Sequence, residues 1–237
     1  MSPKLPPVTR ALFALLLLAI LVVALRPSRR AEHKSSDAEP KLTRDEIRLL
    51  IESLANKNER PSEGGRSPLV FSADYDHNED ARIRSTIRRL ERRSDPEDLW
   101  WCLRDHLHDD RYATPVTYDF YKHAATIGNL CRERVADDLD APFRNVIEEH
   151  FWRQFRVWYQ LDEWCAAHND VPLYQQQIER GEEILKKLET LKQGDREFWI
   201  PGDDDKPGIR RDVGQQIEIL KRTGMPIFSK ESLIPSN

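Results

Sequence analysis

The chain has 237 residues, a formal net charge of −4 and a charged share of 33%. The charge is unevenly distributed, because the first 34 residues carry +5 and residues 35–237 therefore carry −9. An acidic body disfavours general binding of nucleic acid, whose phosphates need a positive potential, and a body of about 200 residues is long enough for one domain with a real core.

The N-terminal part contains an uninterrupted apolar run, ALFALLLLAILVVAL, over residues 11–25, flanked on both sides by basic residues (Lys4, Arg10, Arg26, Arg29 and Arg30). As a helix this run spans about 22 Å, whereas a bilayer core needs about 30 Å. It is long for the apolar part of a signal peptide and short for a membrane span. In either case it predicts delivery to a membrane, with residues 1–30 as an anchor or a signal segment.

This segment also predicts where the folded domain lies. We expect one N-terminal anchor that contacts the membrane through residues 11–25 and leaves the domain outside the cytosol. Cleavage would instead release the domain as a secreted or periplasmic protein. The basic residues on both flanks leave the membrane orientation open, and the sequence leaves the cleavage open as well.

Beyond the apolar run, residues 31–41 lack periodicity and predict a linker. Residues 42–237 are expected to form a single α-rich domain with a loosely ordered C-terminal tail. Its first helix has a clear start, because Thr43 and Glu46 have the spacing of a capping box. Residues 56–72 are rich in proline and glycine and predict a loop.

Two further helices and a hairpin follow in the sequence. The apolar period predicts a helix from Glu79 to Arg93, and Asp95 before Pro96 is typical of the start of another helix. Residues 112–121 change to the alternating period of a strand, with a return strand expected near residues 122–126. Thr126 then begins a helix that is expected to run through Leu139.

The C-terminal half predicts more helices. A long aromatic helix is expected over residues 143–168, and Pro172 opens the next one. Residues 195–208 predict an irregular loop, Gln215 to Arg222 a last helix, and the tail from Ile227 an extended, loosely held segment. The fold class is therefore mainly α, an irregular helical-hairpin bundle with one small β-hairpin, preceded by an N-terminal hydrophobic helix.

One cluster has the residue types of a metal site. His106, His108 and Asp110 form H-x-H-x-D, which is part of the metal signature of metallo-β-lactamase-like hydrolases, and a zinc-bound water in such a site is a nucleophile near neutral pH. Against this interpretation, Arg111 replaces the next histidine of that signature, and the motif follows an amphipathic helix instead of a buried strand. The alternative is a helix C-terminus, where histidine suits the helix dipole.

Arginines crowd the second predicted helix, and Arg84, Arg88 and Arg92 share one face at intervals of four. Such a face has the chemistry to bind an anionic partner, namely a lipid headgroup, a wall polymer or a nucleic acid. The alternative is a solvated face whose arginines pair locally. Nearby acids could provide that pairing (Asp80, Glu91, Asp95, Glu97 and Asp98).

The stretch His106–Asp138 resembles a segment that recurs in exported bacterial proteins of unknown function. The matching features are D-x-R-Y at Asp109–Tyr112, where the predicted hairpin begins, and T-x-G-x-x-C at Thr126–Cys131, which follows the hairpin. Leu173–Glu179 (LYQQQIE) fits the same pattern. The resemblance implies a bacterial, secreted or anchored domain, and it brings no activity and no cofactor with it.

Three functions remain open at this point. The first is a membrane-tethered or exported, non-catalytic helical interaction domain with a protein or polymer partner, and no cofactor is expected. The second is an exported metal-dependent hydrolase, and the third is a binder of an anionic polymer or lipid. The three cysteines are expected to be small buried side chains (Cys102, Cys131 and Cys165), although one disulfide is possible outside the cytosol. Oligomeric state also stays open.

Overall fold

The computed structural model of the chain describes residues 40–62, 69–118, 121–150, 160–190, 206–230 and 232–233. Residues Lys41–Asn237 form one compact unit. The predicted apolar segment, residues 11–25, lies outside the described residues. Of the helices that the structure describes, none combines the length and the hydropathy that a bilayer span requires.

Side-chain caps set the starts of the first three helices, α1 (Arg44–Glu52), α2 (His77–Arg93) and α3 (Pro96–Arg104). Thr43 and Glu46 form the predicted capping box, with Thr43 N donating to the Glu46 carboxylate at 2.8 Å. Asp95 caps α3, as predicted. The start of α2 was predicted two residues late, at Glu79, because the Asp76 carboxylate accepts from the backbone at the start of the helix and caps it.

An antiparallel two-stranded hairpin follows, formed by β1 (Tyr112–Tyr118) and β2 (Tyr121–Thr126). Val116 lies opposite His123, and the register shifts between Tyr112 and Thr114. The structure thus confirms a mainly helical chain with one small hairpin. Thr126 ends β2 and also caps α4 (Ile127–Asp140) through a capping box with Asn129.

The described residues between Ala141 and Thr223 are mostly helical. A 3₁₀ turn at Ala141–Phe143 contains Pro142, which interrupts the helix as predicted. It leads into α5 (Arg144–His150), α6 (Leu161–Ala167), α7 (Leu173–Thr190) and α8 (Lys206–Thr223). Gly224 ends α8 in the left-handed region with φ 62°, a conformation that glycine adopts without steric cost.

Three predictions for the C-terminal half were wrong. The aromatic helix is not continuous over residues 143–168, because Gln160 has φ −120° and ψ 18° and α6 begins after it. The last helix begins at Lys206 instead of Gln215, since Ile209 and Val213 extend its apolar stripe by two turns. The part of the tail that the structure describes, residues 227–230 and 232–233, is not loosely held either, because Leu233 is 4% exposed and packs in the core.

Two main apolar clusters, with a small third one formed by Leu69, Tyr112 and Ala124, make up the core of the described residues. The larger cluster collects side chains from α1 to α4, the hairpin and α6, with Ile47, Trp100 and Leu130 among its buried members. The second cluster lies between α7 and α8 around Phe143 and Ile184. All three cysteines are buried free thiols in the larger cluster. Burial raises the pKa of Cys131, which keeps that thiol protonated and unreactive.

A polar seam joins α7 to the C-terminal end of α4. Gln177 Nε2 donates to the Asp138 carbonyl at 2.7 Å, and Arg180 Nε donates to the Asp140 carboxylate at 2.8 Å. Gln177 is 0% exposed and Arg180 is 1% exposed. The same carbonyl of Asp138 also accepts from Ala141 N at the end of α4, so Gln177 is a second donor to it, which the two lone pairs of a carbonyl oxygen allow.

Gly128, in the first turn of α4, lies against the turn that precedes β1. A Cβ atom at this position would lie 2.7 Å from the Leu107 carbonyl oxygen and 2.9 Å from that of Asp109. Both are backbone atoms, which cannot swing away as the end of a side chain can. The absence of a side chain at residue 128 is therefore required for α4 to pack here.

We predict that Gly128→Ala lowers the free energy of unfolding by about 1–3 kcal/mol through overpacking, although alanine is the better helix former. The matched control is Gly214→Ala in α8, where an added Cβ meets nothing within 4 Å. That variant should keep or raise stability, by up to about 1 kcal/mol. Urea denaturation followed by circular dichroism measures both variants, and equal effects would contradict the close packing at residue 128.

Candidate functional site

The arginines of α2 face away from its buried side. Ile83, Ile87 and Leu90 are at most 1% exposed and pack in the larger cluster. Arg88 and Arg92 are exposed and Arg84 is half-buried, on the other side of the helix. Residues four apart on a helix have Cβ atoms about 5–6 Å apart. We call these three side chains, Arg84, Arg88 and Arg92, the arginine face.

Arg82 belongs to the same helix but has a structural role. Its guanidinium donates twice to the Glu79 carboxylate at 2.9 Å, and it also donates to the carbonyls of Ser53 at 2.8 Å and Ala55 at 3.1 Å. The hydrogen bond from Arg82 lowers the pKa of Glu79 below its ordinary value. Arg82 therefore ties the start of α2 to the chain after α1.

Four of the five acids that were expected to pair with the arginine face have other partners. Asp80 is buried, and its carboxylate accepts from the Tyr75 hydroxyl at 2.8 Å and from Asn56 Nδ2 at 3.0 Å. Glu91 accepts from Leu233 N at 2.6 Å and from the Ser232 hydroxyl at 2.8 Å.

The two acids after α2 are engaged in the same way. Asp95 pairs with Lys41 at 3.0 Å and caps α3, and Asp98 pairs with Arg44 at 2.6 Å. Lys41 lies just before α1 and Arg44 is its first residue, so both carboxylates form ion pairs with the start of α1. Four of the five acids that the hypothesis of local pairing named therefore bind groups outside the arginine face.

Within the part of the chain that the structure describes, no hydrogen bond or ion pair engages Arg84, Arg88 or Arg92. Each guanidinium therefore keeps its five N–H donors for another partner. Arginine matches phosphate and carboxylate groups through paired N–H donors. The arginine face has the geometry to bind several anionic groups in a row along α2.

The chain enters the described domain beside the C-terminal end of α2. Leu42 N donates to the Arg93 carbonyl at 2.9 Å, and Lys41 pairs with Asp95 just beyond it. Leu42 is buried in the larger cluster, which fixes this junction. Arg92 thus lies one residue from the point at which the N-terminal part of the chain joins the fold.

The residues of the H-x-H-x-D cluster lie in the turn after α3. His106 Nδ1 lies 3.0 Å from the Cys102 carbonyl oxygen, in the manner of a side chain at a helix C-terminus. His108 Nε2 lies 3.5 Å from the Asp162 carboxylate, and Asp110 is exposed. In the described residues, no three histidine, cysteine, aspartate or glutamate side chains are grouped so as to hold a metal ion. The metal site stays a prediction from the sequence.

The residues that carry the resemblance lie together in the structure. Asp109 pairs with Arg111 at 2.6 Å, and the hydrogen bond from Arg111 lowers the pKa of Asp109. The Asp109 carbonyl accepts from Gly128 N at 2.8 Å, and the Arg111 carbonyl accepts from Ile127 N at 3.0 Å. The D-x-R-Y and T-x-G-x-x-C stretches therefore form one joint between the turn and α4.

A cleft of about 270 Å³ lies between α3 and α6. Arg104 packs on the Trp101 ring, 4.7 Å from its centroid, and donates to the Cys165 carbonyl at 2.7 Å. His108 and Asp162 are also in the lining. The contributing residues are some 60 positions apart in the chain, so no local pattern could have revealed the cleft.

We predict that the triple variant Arg84→Gln, Arg88→Gln, Arg92→Gln keeps the free energy of unfolding within about 0.5 kcal/mol of the wild type, as surface changes without partners do. Arg82→Gln, on the same helix, should lower it by about 1–3 kcal/mol because the Ser53 and Ala55 carbonyls and Glu79 lose a charged donor. Urea denaturation of the full chain measures both. A loss of stability in the triple variant would show that the arginine face has a structural role.

Comparison of the chain with protein-family models, with curated proteins and with solved structures finds no match.

Proposed function

We propose that the protein is a membrane-tethered, non-catalytic helical domain that binds anionic lipid headgroups through the arginine face. In this proposal, residues 11–25 are a hydrophobic helix that holds the chain in the membrane, and the helical-hairpin bundle lies outside the cytosol. If the N-terminal segment is cleaved, the same face serves a secreted or periplasmic domain. The observation that carries the proposal is that Arg84, Arg88 and Arg92 have no partner among the described residues.

Electrostatics favour one orientation of the domain at a lipid surface. Each arginine near an anionic surface is worth about 1 kcal/mol at physiological ionic strength. Residues 35–237 carry −9 in total, so most of the domain is repelled by the same surface. Attraction at α2 and repulsion elsewhere together turn the arginine face toward the lipid.

The linker supports a lipid partner over a soluble polymer. An extended linker over residues 31–41 reaches at most about 40 Å, and it joins the fold where Leu42 contacts Arg93. The arginine face then stays within reach of the membrane that holds residues 11–25. Tethering raises the effective concentration of headgroups, so weak contacts of three arginines are sufficient for binding.

A fluorescent label next to the arginine face tests this proposal on the full chain. Ser85 is exposed in α2, and a Ser85→Cys variant is open to labelling while the native cysteines, at most 8% exposed, are protected by burial. The labelled chain is reconstituted into nanodiscs of phosphatidylcholine, with or without phosphatidylglycerol. We expect a blue shift of an environment-sensitive dye in the anionic discs only, and high salt should reverse it.

Two variants with the same change in net charge make the test specific. Replacing Arg84, Arg88 and Arg92 by glutamine should remove the blue shift. Replacing three exposed arginines of α8 by glutamine should leave it unchanged (Arg210, Arg211 and Arg222). An equal shift in neutral discs, or a shift that survives in the first variant, would refute lipid binding by the arginine face. Failure of the chain to incorporate into discs would refute the tether.

A further inference from the structure

The described residues after α8, 225–230 and 232–233, contact several other elements of the fold, and we call them the C-terminal segment. They follow Gly224 and have no regular secondary structure. Side chains of α2, α4 and α7 hydrogen-bond to the main-chain groups of the segment, and a side chain of α5 hydrogen-bonds to its Ser229 hydroxyl. Three of its side chains pack on the two main apolar clusters. This inference is independent of lipid binding by the arginine face.

Gln177 holds the first part of the segment with both ends of its amide. Ile227 N donates to Gln177 Oε1 at 3.0 Å, and Gln177 Nε2 donates to the Ile227 carbonyl at 2.6 Å. Gln177 is 0% exposed, so its amide has no access to water while the segment is in place. A buried amide that binds both polar groups of one residue is a specific contact to an extended main chain.

An ion pair on α4 holds the next part of the segment. Arg134 pairs with Asp138 at 2.8 Å, and Asp138 accepts from Ser229 N at 2.8 Å while Arg134 donates to the Ser229 carbonyl at 3.3 Å. From α5, Arg144 donates to the Ser229 hydroxyl at 3.2 Å. Both main-chain groups of Ser229 are therefore bound by charged side chains, and its hydroxyl is bound as well.

The far end of the segment is fixed by α2 and by the core. Glu91 accepts from Leu233 N at 2.6 Å, and Leu233 is 4% exposed in the larger cluster. Phe228 packs on the same cluster, whereas Ile227 packs on the second one. The segment thus presents two adjacent apolar residues, a serine, and a further apolar residue four positions after the serine.

We propose that these side chains form a peptide-binding groove, whose resident ligand is the chain's own C-terminal segment. Glu91, Arg134, Asp138 and Gln177 bind main-chain groups, which every extended peptide has. The apolar contacts supply the sequence preference. The groove therefore accepts an extended segment of a partner protein with the same pattern, apolar-apolar-Ser followed by an apolar residue at the fourth position after serine.

The burial of the groove explains why its ligand is exchanged and not simply lost. Departure of the C-terminal segment leaves the Gln177 amide and the Asp138 carboxylate with unmet hydrogen bonds, a costly state for buried polar groups. A replacement peptide restores the same bonds. The segment joins α8 through Gly224, Met225 and Pro226, and Met225 is 63% exposed, so this hinge has few contacts to break.

The covalent link protects the groove against free peptides. A short tether gives an effective concentration of about millimolar, so a free peptide of equal affinity must exceed that concentration to compete. Weakening the resident segment should therefore reveal peptide binding. Phe228→Ala with Leu233→Ala removes two apolar anchors of the segment while every groove side chain stays in place.

The test uses a fluorescein-labelled peptide with the sequence of residues 225–237, MPIFSKESLIPSN, and full-length chains. By fluorescence anisotropy, we expect the peptide to bind the Phe228→Ala, Leu233→Ala variant at least about tenfold more tightly than the wild type. A second host carries a flexible Gly-Ser insertion after Gly224, which lowers the effective concentration of the tether and removes no contact. It should also bind the peptide more tightly than the wild type.

Changes in the peptide then report on the contacts without touching the protein. N-methylation at the position of Ile227 removes the N–H that Gln177 accepts, and we expect about a tenfold loss of affinity. A scrambled peptide should not bind. Two results would overturn the proposal of a peptide-binding groove. One is that the folded hosts bind the peptide no better than the wild type does, and the other is that N-methylation leaves the affinity of the peptide unchanged. If the insertion host forms a concentration-dependent dimer, the proposal that a partner protein fills the groove would be overturned, because the C-terminal segment of a second copy would then fill it.

Discussion

The structure depends on a buried polar seam between α4, α7 and the C-terminal segment. Apolar clusters alone tolerate many packings, whereas a buried polar group is costly unless a partner meets it in the right geometry. Gln177 illustrates the constraint, because its one amide binds the end of α4 and the main chain of Ile227 at once. Burial raises the pKa of Asp138 against the opposing charge of Arg134, so its hydrogen bond to Ser229 N is needed to hold the carboxylate in the interior. A shift of α7 along α4 would break these contacts together.

The features that could be predicted from the sequence are those that residues close together in the chain determine. The starts of α1, α3 and α4 follow from caps at Thr43, Asp95 and Thr126, whose partners lie within three residues. The hairpin followed from a change of period over a short stretch. The tail was mispredicted for the converse reason. Ser229 N donates to a carboxylate that is 91 positions away in the sequence, and Leu233 N donates to one that is 142 positions away. No local feature of the tail indicates such distant partners.

The arginine face shows the same limit at the candidate site. The spacing of the three arginines could be predicted because it is set within one helix, but the ion-pair partners of the surrounding acids could not. Acids nearest in sequence were expected to neutralise the arginines, yet Asp95 and Asp98 pair with residues 54 positions away. Those pairs join α1 to α3 and serve the packing of the domain. Which charges a surface leaves unpaired is therefore decided by tertiary contacts, and only the positions of the charges can be read from the chain.

Glu91 connects the two proposed surfaces. It lies on α2 three residues after Arg88, a spacing at which opposite charges attract on a helix. In the structure its carboxylate instead accepts from Leu233 N and from the Ser232 hydroxyl. The C-terminal segment thus keeps the acid nearest to the arginine face from neutralising it. A ligand that fills the groove without contacting the Glu91 carboxylate would leave Glu91 free to approach Arg88, which would weaken the positive potential of the arginine face. A ligand that binds Glu91 would preserve this potential. The two proposals rest on different contacts, but together they predict that occupancy of the groove would change the attraction to an anionic surface through Glu91, with a sign that depends on how far along the groove the ligand extends.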